Sequence, residues 1–210
     1  MERLQIVGLG LSTLDVLIRL ERLPTWEQST TVEAFALDGG GMVGTAMVAA
    51  ARLGARAGYV GVRGDDAVAR LKMESLLAAG VDISQVRKLG IPEPEVVFVF
   101  VDARSGERMF CGLQSLREDL CPPEALDRAY LTQADYLLLD GFHYPAAVQA
   151  ARWMREAGKT VVMDGAKCSG RPPVHRADVV ELVDILICGS GFVQGLTGID
   201  DPIEACRETL

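Results

Sequence analysis

The sequence predicts an α/β fold built on a mostly parallel sheet, and three stretches predict it. From Ala134 onward, strand-like and helix-like runs alternate, which is the rhythm of a parallel sheet with right-handed crossovers. Earlier, a β-branched and aromatic run from Thr30 to Leu37 delivers the chain to Asp38-Gly39-Gly40-Gly41 and then to an alanine-rich helix. Between these regions, Glu95 to Asp102 and Glu107 to Cys111 form a hairpin about the turn Ala103 to Gly106, with no crossover helix. Such a hairpin is a flap, a lid or an oligomer contact, or else a plain edge hairpin on the main sheet.

Leu4 to Leu9 reads as a short buried strand ending in Gly8 and Gly10. Ser12-Thr13-Leu14-Asp15 follows, where open α/β sheets collect ligand groups. Asp15 either bonds ligand hydroxyls or fixes the local turn. Val16 to Leu23 alternates loosely and stops at Pro24. After the three glycines, Thr45 reads as the N-cap of a helix that runs to Leu53, with Gly54 at C′. A glycine turn at a helix start either offers N–H groups to an oxygen-rich ligand or simply precedes a packed core helix.

Ala57 to Val62 is a strand, and Gly64-Asp65-Asp66 caps a helix from about Ala67 to Ala79 that Gly80 ends. Pro122 to Tyr130 is a short helix. Tyr136 to Asp140, Thr160 to Asp164 and Asp184 to Cys188 are strands, separated by helices at Tyr144 to Ala157 and Ala177 to Val183. Gly189-Ser190-Gly191 opens a short helix from Phe192 to Leu196, and Pro202 to Leu210 starts another. The strand ends at Asp140, Asp164 and Cys188-Gly189 share one rim, so a ligand crevice is expected there.

Composition narrows the function. Hydrophobic residues make up 49% of 210, enough for one sizeable core. The net charge of −8 argues against nucleic acid or an anionic membrane as the main partner. Five scattered cysteines without a C-x-x-C pair fit a reduced, cytoplasmic protein, and no uncharged apolar run reaches membrane-spanning length. Gly8-Leu9-Gly10 lacks a third glycine at the dinucleotide spacing, and there is no G-x-x-x-x-G-K-[ST] and no G-x-S-x-G. His143 lies on the expected rim, as a loop residue or a base.

Taken in order, Asp15, Gly39-Gly40-Gly41 leading to Ala49-Ala50-Ala51-Arg52-Leu53-Gly54-Ala55, Tyr59 through Asp66, Leu77 through Asp82, Val183 through Ile187 and Leu196-Thr197-Gly198 form a set. With this set the chain resembles the ribokinase-like, or PfkB-type, carbohydrate kinases over nearly its whole length. The resemblance implies a three-layer α/β/α arrangement in one domain, 1–210, with a β lid from about 15–38 and 92–112. It implies transfer of the ATP γ-phosphate to a sugar hydroxyl with Mg2+, and a homodimer formed through the lid. Asp15, Gly40 and Gly41 look like acceptor-binding positions, and Thr45 stands where the family usually has Asn. Arg108, with Phe98 and Phe110, would cover the acceptor from the lid, or Arg108 is a plain surface charge; Asp140 is placed on the acceptor side.

The phosphate side would hold Asp164, with Lys167 either facing phosphate oxygens or solvated, and Ser190 either offering its hydroxyl or capping the next helix. No metal ligand is identified. Two departures stand out. The family's Asn-x-x-Glu is replaced by Gly189-Ser190-Gly191-Phe192, and the Gly-Ala-Gly-Asp segment that carries the catalytic base and an anion hole is absent through Leu210. The expectation is a shortened kinase missing the C-terminal ATP-binding part and inactive alone. The alternatives are an inactive sugar- or nucleoside-binding module, or a dimerisation remnant.

Overall fold

The computed structural model describes residues 3–115, 119–166 and 178–209. Its main sheet is entirely parallel, in the order β10-β9-β8-β1-β4-β5. These strands are β1 (Ile6–Leu9), β4 (Ala57–Arg63), β5 (Asp82–Lys88), β8 (Tyr136–Leu139), β9 (Thr160–Asp164) and β10 (Ile185–Ile187). A second sheet has the order β3-β2-β6-β7, from β2 (Thr13–Leu20), β3 (Val32–Gly40), β6 (Val96–Asp102) and β7 (Arg108–Gly112). In it β2 runs antiparallel to β3 and parallel to β6, and β6–β7 is the antiparallel hairpin. The hairpin therefore belongs to a separate small sheet and is not an edge of the main one.

Strand alternation divides the core into two layers. Val7, Leu9, Leu137, Leu139, Val161 and Met163 face α4 (Tyr144–Glu156), α5 (Phe192–Thr197) and α6 (Pro202–Thr209). Ala57, Tyr59 and Leu138 face α1 (Met42–Arg52) and α2 (Ala67–Ala78). The short α3 (Arg128–Thr132) joins the first layer through Tyr130 and Leu131. On α4, Ala146, Ala147, Ala150 and Ala151 have no exposed surface, so the helix lies close against the sheet. Ala150→Leu should overpack this seam and cost about 1–3 kcal/mol in urea unfolding.

Several local expectations hold. Asp66 is the N-cap of α2, its Oδ1 accepting from Ala69 N at 2.9 Å, and Gly80 follows the helix with φ 79°. Gly54 (φ 96°) and Gly158 (φ 67°) sit just beyond α1 and α4.

Others change. The helix after the glycines begins at Met42 with Gly41 as N-cap, so Thr45 lies inside α1 and is not its cap. Asp15 stands within β2 and not in a turn. The strand β5 was not anticipated, because its polar residues Asp82, Ser84, Gln85, Arg87 and Lys88 suit an edge strand with little hydrophobic signal. The segment from Pro122 holds a 3-10 turn, Pro123–Ala125, and α3 as separate pieces. Of the helix expected over 177–183, residues 178–180 are helical. No helix among the described residues is long and apolar enough to cross a membrane.

Candidate acceptor site

The small sheet stands over the start of α1, and a cavity of about 510 Å3 opens between them. Its lining joins Thr13 and Asp15 of β2, Gly39 to Met42 of the glycine turn, Thr45 of α1, Val97 of β6, Arg108 and Phe110 of β7, and Asp164 at the end of β9. The sheet register explains the grouping. Asp15 pairs with Asp38 and Val97, and Val99 pairs with Phe110, so these side chains share one face. Phe98 pairs with Val16 and Cys111 and lies on the opposite face, so it does not cover this cavity.

The glycines are required by this geometry. Gly41 has φ 81°, and a Cβ there would press on the carbonyl of Leu11. A Cβ on Gly40 would collide with the Asp15 carboxylate. The backbone thus comes directly against Asp15, and α1 begins without a side-chain cap at the cavity wall.

Asp15 is half-buried. Burial raises its carboxyl above the ordinary range; the Thr13 hydroxyl, donating to Oδ1 at 2.5 Å, pulls it down, and Asp38 pushes it up. Oδ2 has no hydrogen-bond partner among the described residues and is free to accept from a ligand hydroxyl. Arg108 lies 5.9 Å from the Phe110 ring centroid and pairs with no carboxylate among the described residues. Asp164 accepts from Ala166 N at 2.7 Å, and Ala166 holds a left-handed φ of 55°.

The remaining predicted residues are not brought to this cavity. Asp140 is fully buried, accepting from Leu11 N and Phe142 N, both at 2.9 Å. It thereby fixes the backbone that leads to Thr13. Ser190 is exposed in the turn before α5, beside a groove of about 560 Å3 lined by Gly191, Gln194, Thr197 and Asp200. Lys167 lies outside the described residues. His143 is buried and left-handed at φ 54°, away from the cavity lining. Thr13 was missed; its alternation with Asp15 on one strand face would have found it.

Residues 4–205 match the pfkB family of carbohydrate kinases. This chain belongs to that family. A relative described as an ATP-dependent ribose-1-phosphate kinase, from Halopiger xanaduensis, is 30% identical over 166 residues, covering 79% of this chain and 55% of that enzyme. The matched region thus spans little more than half of that relative. Among solved structures, Arabidopsis thaliana ribokinase with ribose and ATP superposes with TM-score 0.79 at 20% identity, over 99% of this chain and 69% of that one. A PfkB protein from Polaromonas sp. JS666 gives TM-score 0.80 at 21% identity, over 98% and 72%. At those identities the likeness establishes the ribokinase-like fold.

The family implies ATP and Mg2+. The donor set here does not build a magnesium site: among the described residues no group of three His, Cys, Asp or Glu side chains is arranged to hold a metal ion, and Gly189 to Phe192 offers one hydroxyl and no carboxylate. The groove beside Ser190 is lined by no basic residue.

Proposed function

We propose that these residues form the acceptor-binding part of an ATP-dependent sugar kinase, with a pentose or pentose 1-phosphate as acceptor. The observation that carries this reading is the single cavity joining Asp15, Gly40, Gly41 and Thr45 to Arg108 and Phe110 of the small sheet. Asp15 accepts from sugar hydroxyls, the open start of α1 faces oxygen atoms, and Thr45 contributes a hydroxyl where an amide would make more bonds. Asp164 stands on the same wall, at the side from which phosphate would approach. The small sheet acts as the lid, and its outer face, with Phe35 and Leu37 exposed, forms a homodimer contact. The relative named for ribose 1-phosphate supports a phosphorylated acceptor, and Arg108 suits its anionic group.

Phosphoryl transfer depends on positioning and on stabilising phosphate charge. Residues 1–210 contain no Gly-x-Gly-Asp to supply the family's base, so the base and nucleotide contacts come from outside them. Isolated residues 1–210 should bind ribose or ribose 1-phosphate in calorimetry, yet give no ATP-dependent sugar phosphate in a coupled assay. Turnover by this chain would contradict the assignment of the base. Absence of heat with both sugars would contradict the acceptor site and favour a role in dimerisation alone.

A further inference from the structure

A buried charged cluster lies at the root of the small sheet, outside the cavity. Lys72 on α2, Glu93 and Glu95 between β5 and β6, and His143 between β8 and α4 have side chains with no exposure. The Lys72 ammonium donates to Val62 O at 2.9 Å, Glu93 Oε1 at 2.7 Å and Glu95 Oε2 at 2.8 Å. Glu93 also accepts from Glu95 N and Gly64 N, each at 2.9 Å. Glu95 is less well served. Among the described residues its Oε1 has no hydrogen-bond partner and faces His143 Nε2 at 3.8 Å, and neither ring nitrogen of His143 has one.

One ammonium against two carboxylates leaves a negative charge where water is excluded, and a proton removes that cost. Glu93 is held by three donors and Glu95 by Lys72 alone, with Oε1 left over, so Glu95 is the place for the proton. The Glu95 backbone also reaches the acceptor site. Its carbonyl accepts from Leu14 N at 3.0 Å, next to Asp15, and Val97 two residues on lines the cavity.

We propose that Glu95 is kept as a carboxylic acid with Oε1–H directed at His143 Nε2, and that this neutral clasp is a positioning device that holds Asp15 in place for the acceptor. The positioning role rests on the sugar-binding reading; the location of the proton does not.

Burial raises the Glu95 carboxyl to about 7 against the opposing pull of Lys72, with Glu93 and Asp140 adding to the rise. Burial lowers His143 to about 4, helped by Lys72, while Asp119 opposes; its ring is neutral and able to accept. Tyr59 on β4 and Cys121 before the 3-10 turn also face the cluster, and burial pushes both upward, the thiol to about 11.

The signs of these shifts choose the readout. Glu95 rises from 4.5 to about 7, so its contribution to stability is complete below 4.5 and is lost as pH rises through about 7. His143 falls from 6.5 to about 4, so its contribution is complete above 6.5 and is lost as pH falls through about 4. Between 4.5 and 6.5 folding moves one proton from imidazole to carboxyl with no net uptake. Global stability is nearly blind to the exchange, whereas spectroscopy of the two groups is not.

The test is NMR of the full chain carrying 15N-histidine and 13C-carboxyl glutamate across the neutral range, with ribose calorimetry at the same pH values. His143, assigned by His143→Gln, should be neutral at about pH 5.5, where an ordinary histidine is mostly charged. One glutamate carbon, lost in Glu95→Gln, should titrate near neutrality, and His143→Gln should shift that titration. Ribose affinity should fall roughly thirtyfold from about pH 6 to about pH 8.5, following the protonated fraction. In Glu95→Gln, which keeps a neutral side chain, affinity should be flat with pH. A Glu95 carbon titrating in the ordinary carboxylate range, or a charged His143 at about pH 5.5, would overturn the shared proton. Wild-type affinity that is flat with pH would overturn the positioning role. If the proton lies on Glu95 but no ribose binds at any pH, the sugar-binding reading fails and the positioning role falls with it, while the proton assignment stands.

Discussion

Asp15→Ala is expected to weaken ribose binding by about a hundredfold or more. Asp15 Oδ2 is open to the cavity while Oδ1 is held by Thr13, so one side chain is both oriented and available. Two hydroxyl bonds to a carboxylate, each worth about 1.5–3 kcal/mol, set that scale. Asp15→Asn should fall between, because an amide oxygen still accepts but without charge. Calorimetry of the three proteins measures the effect, and thermal unfolding checks that the small sheet is intact. A loss under about tenfold for alanine would mean that the acceptor is held elsewhere.

Lys72→Met should produce the largest loss of stability, about 3–5 kcal/mol, the range seen when one partner of a buried ion pair is removed. Its ammonium bridges α2, the end of β4 and the root of the small sheet through three acceptors. Removing it leaves Glu93 charged in the interior and takes a donor from Glu95. Adding Glu93→Gln and Glu95→Gln to Lys72→Met should recover much of the loss, since the uncompensated charge disappears with Glu93. Urea unfolding of the single and triple variants tests this. A single-variant loss under about 1 kcal/mol would show that water reaches the cluster and that the bridge is worth no more than an exposed pair.

Most of the α/β frame is written in local patterns. β9 is matched residue for residue, and α2 starts and stops where Asp66 and Gly80 indicate, because caps and alternation act over a few residues. What escapes is set by distant contacts. β5 is polar and becomes a strand through pairing with β4. Asp15 joins a strand because β3 and β6 flank β2 on both sides. The three glycines and Asp15, singled out in the sequence, do line one cavity, but the exclusion of Phe98 from it needed the sheet register. Asp140 carries the same carboxyl as Asp15, yet its two backbone donors hold it in the interior. The Lys72 cluster was invisible, since a lysine on a helix reads as solvated until Glu93 and Glu95, more than twenty residues later, fold over it.

The most direct measurement is the set of backbone amide shifts on adding ribose to 15N-labelled protein. Binding in the cavity predicts changes concentrated at Gly40, Gly41, Met42 and Thr45, together with Asp15, Val97, Arg108 and Phe110 on the facing sheet. Shifts confined to Gly191 through Asp200, or none at saturating ribose, would contradict an acceptor site beneath the small sheet.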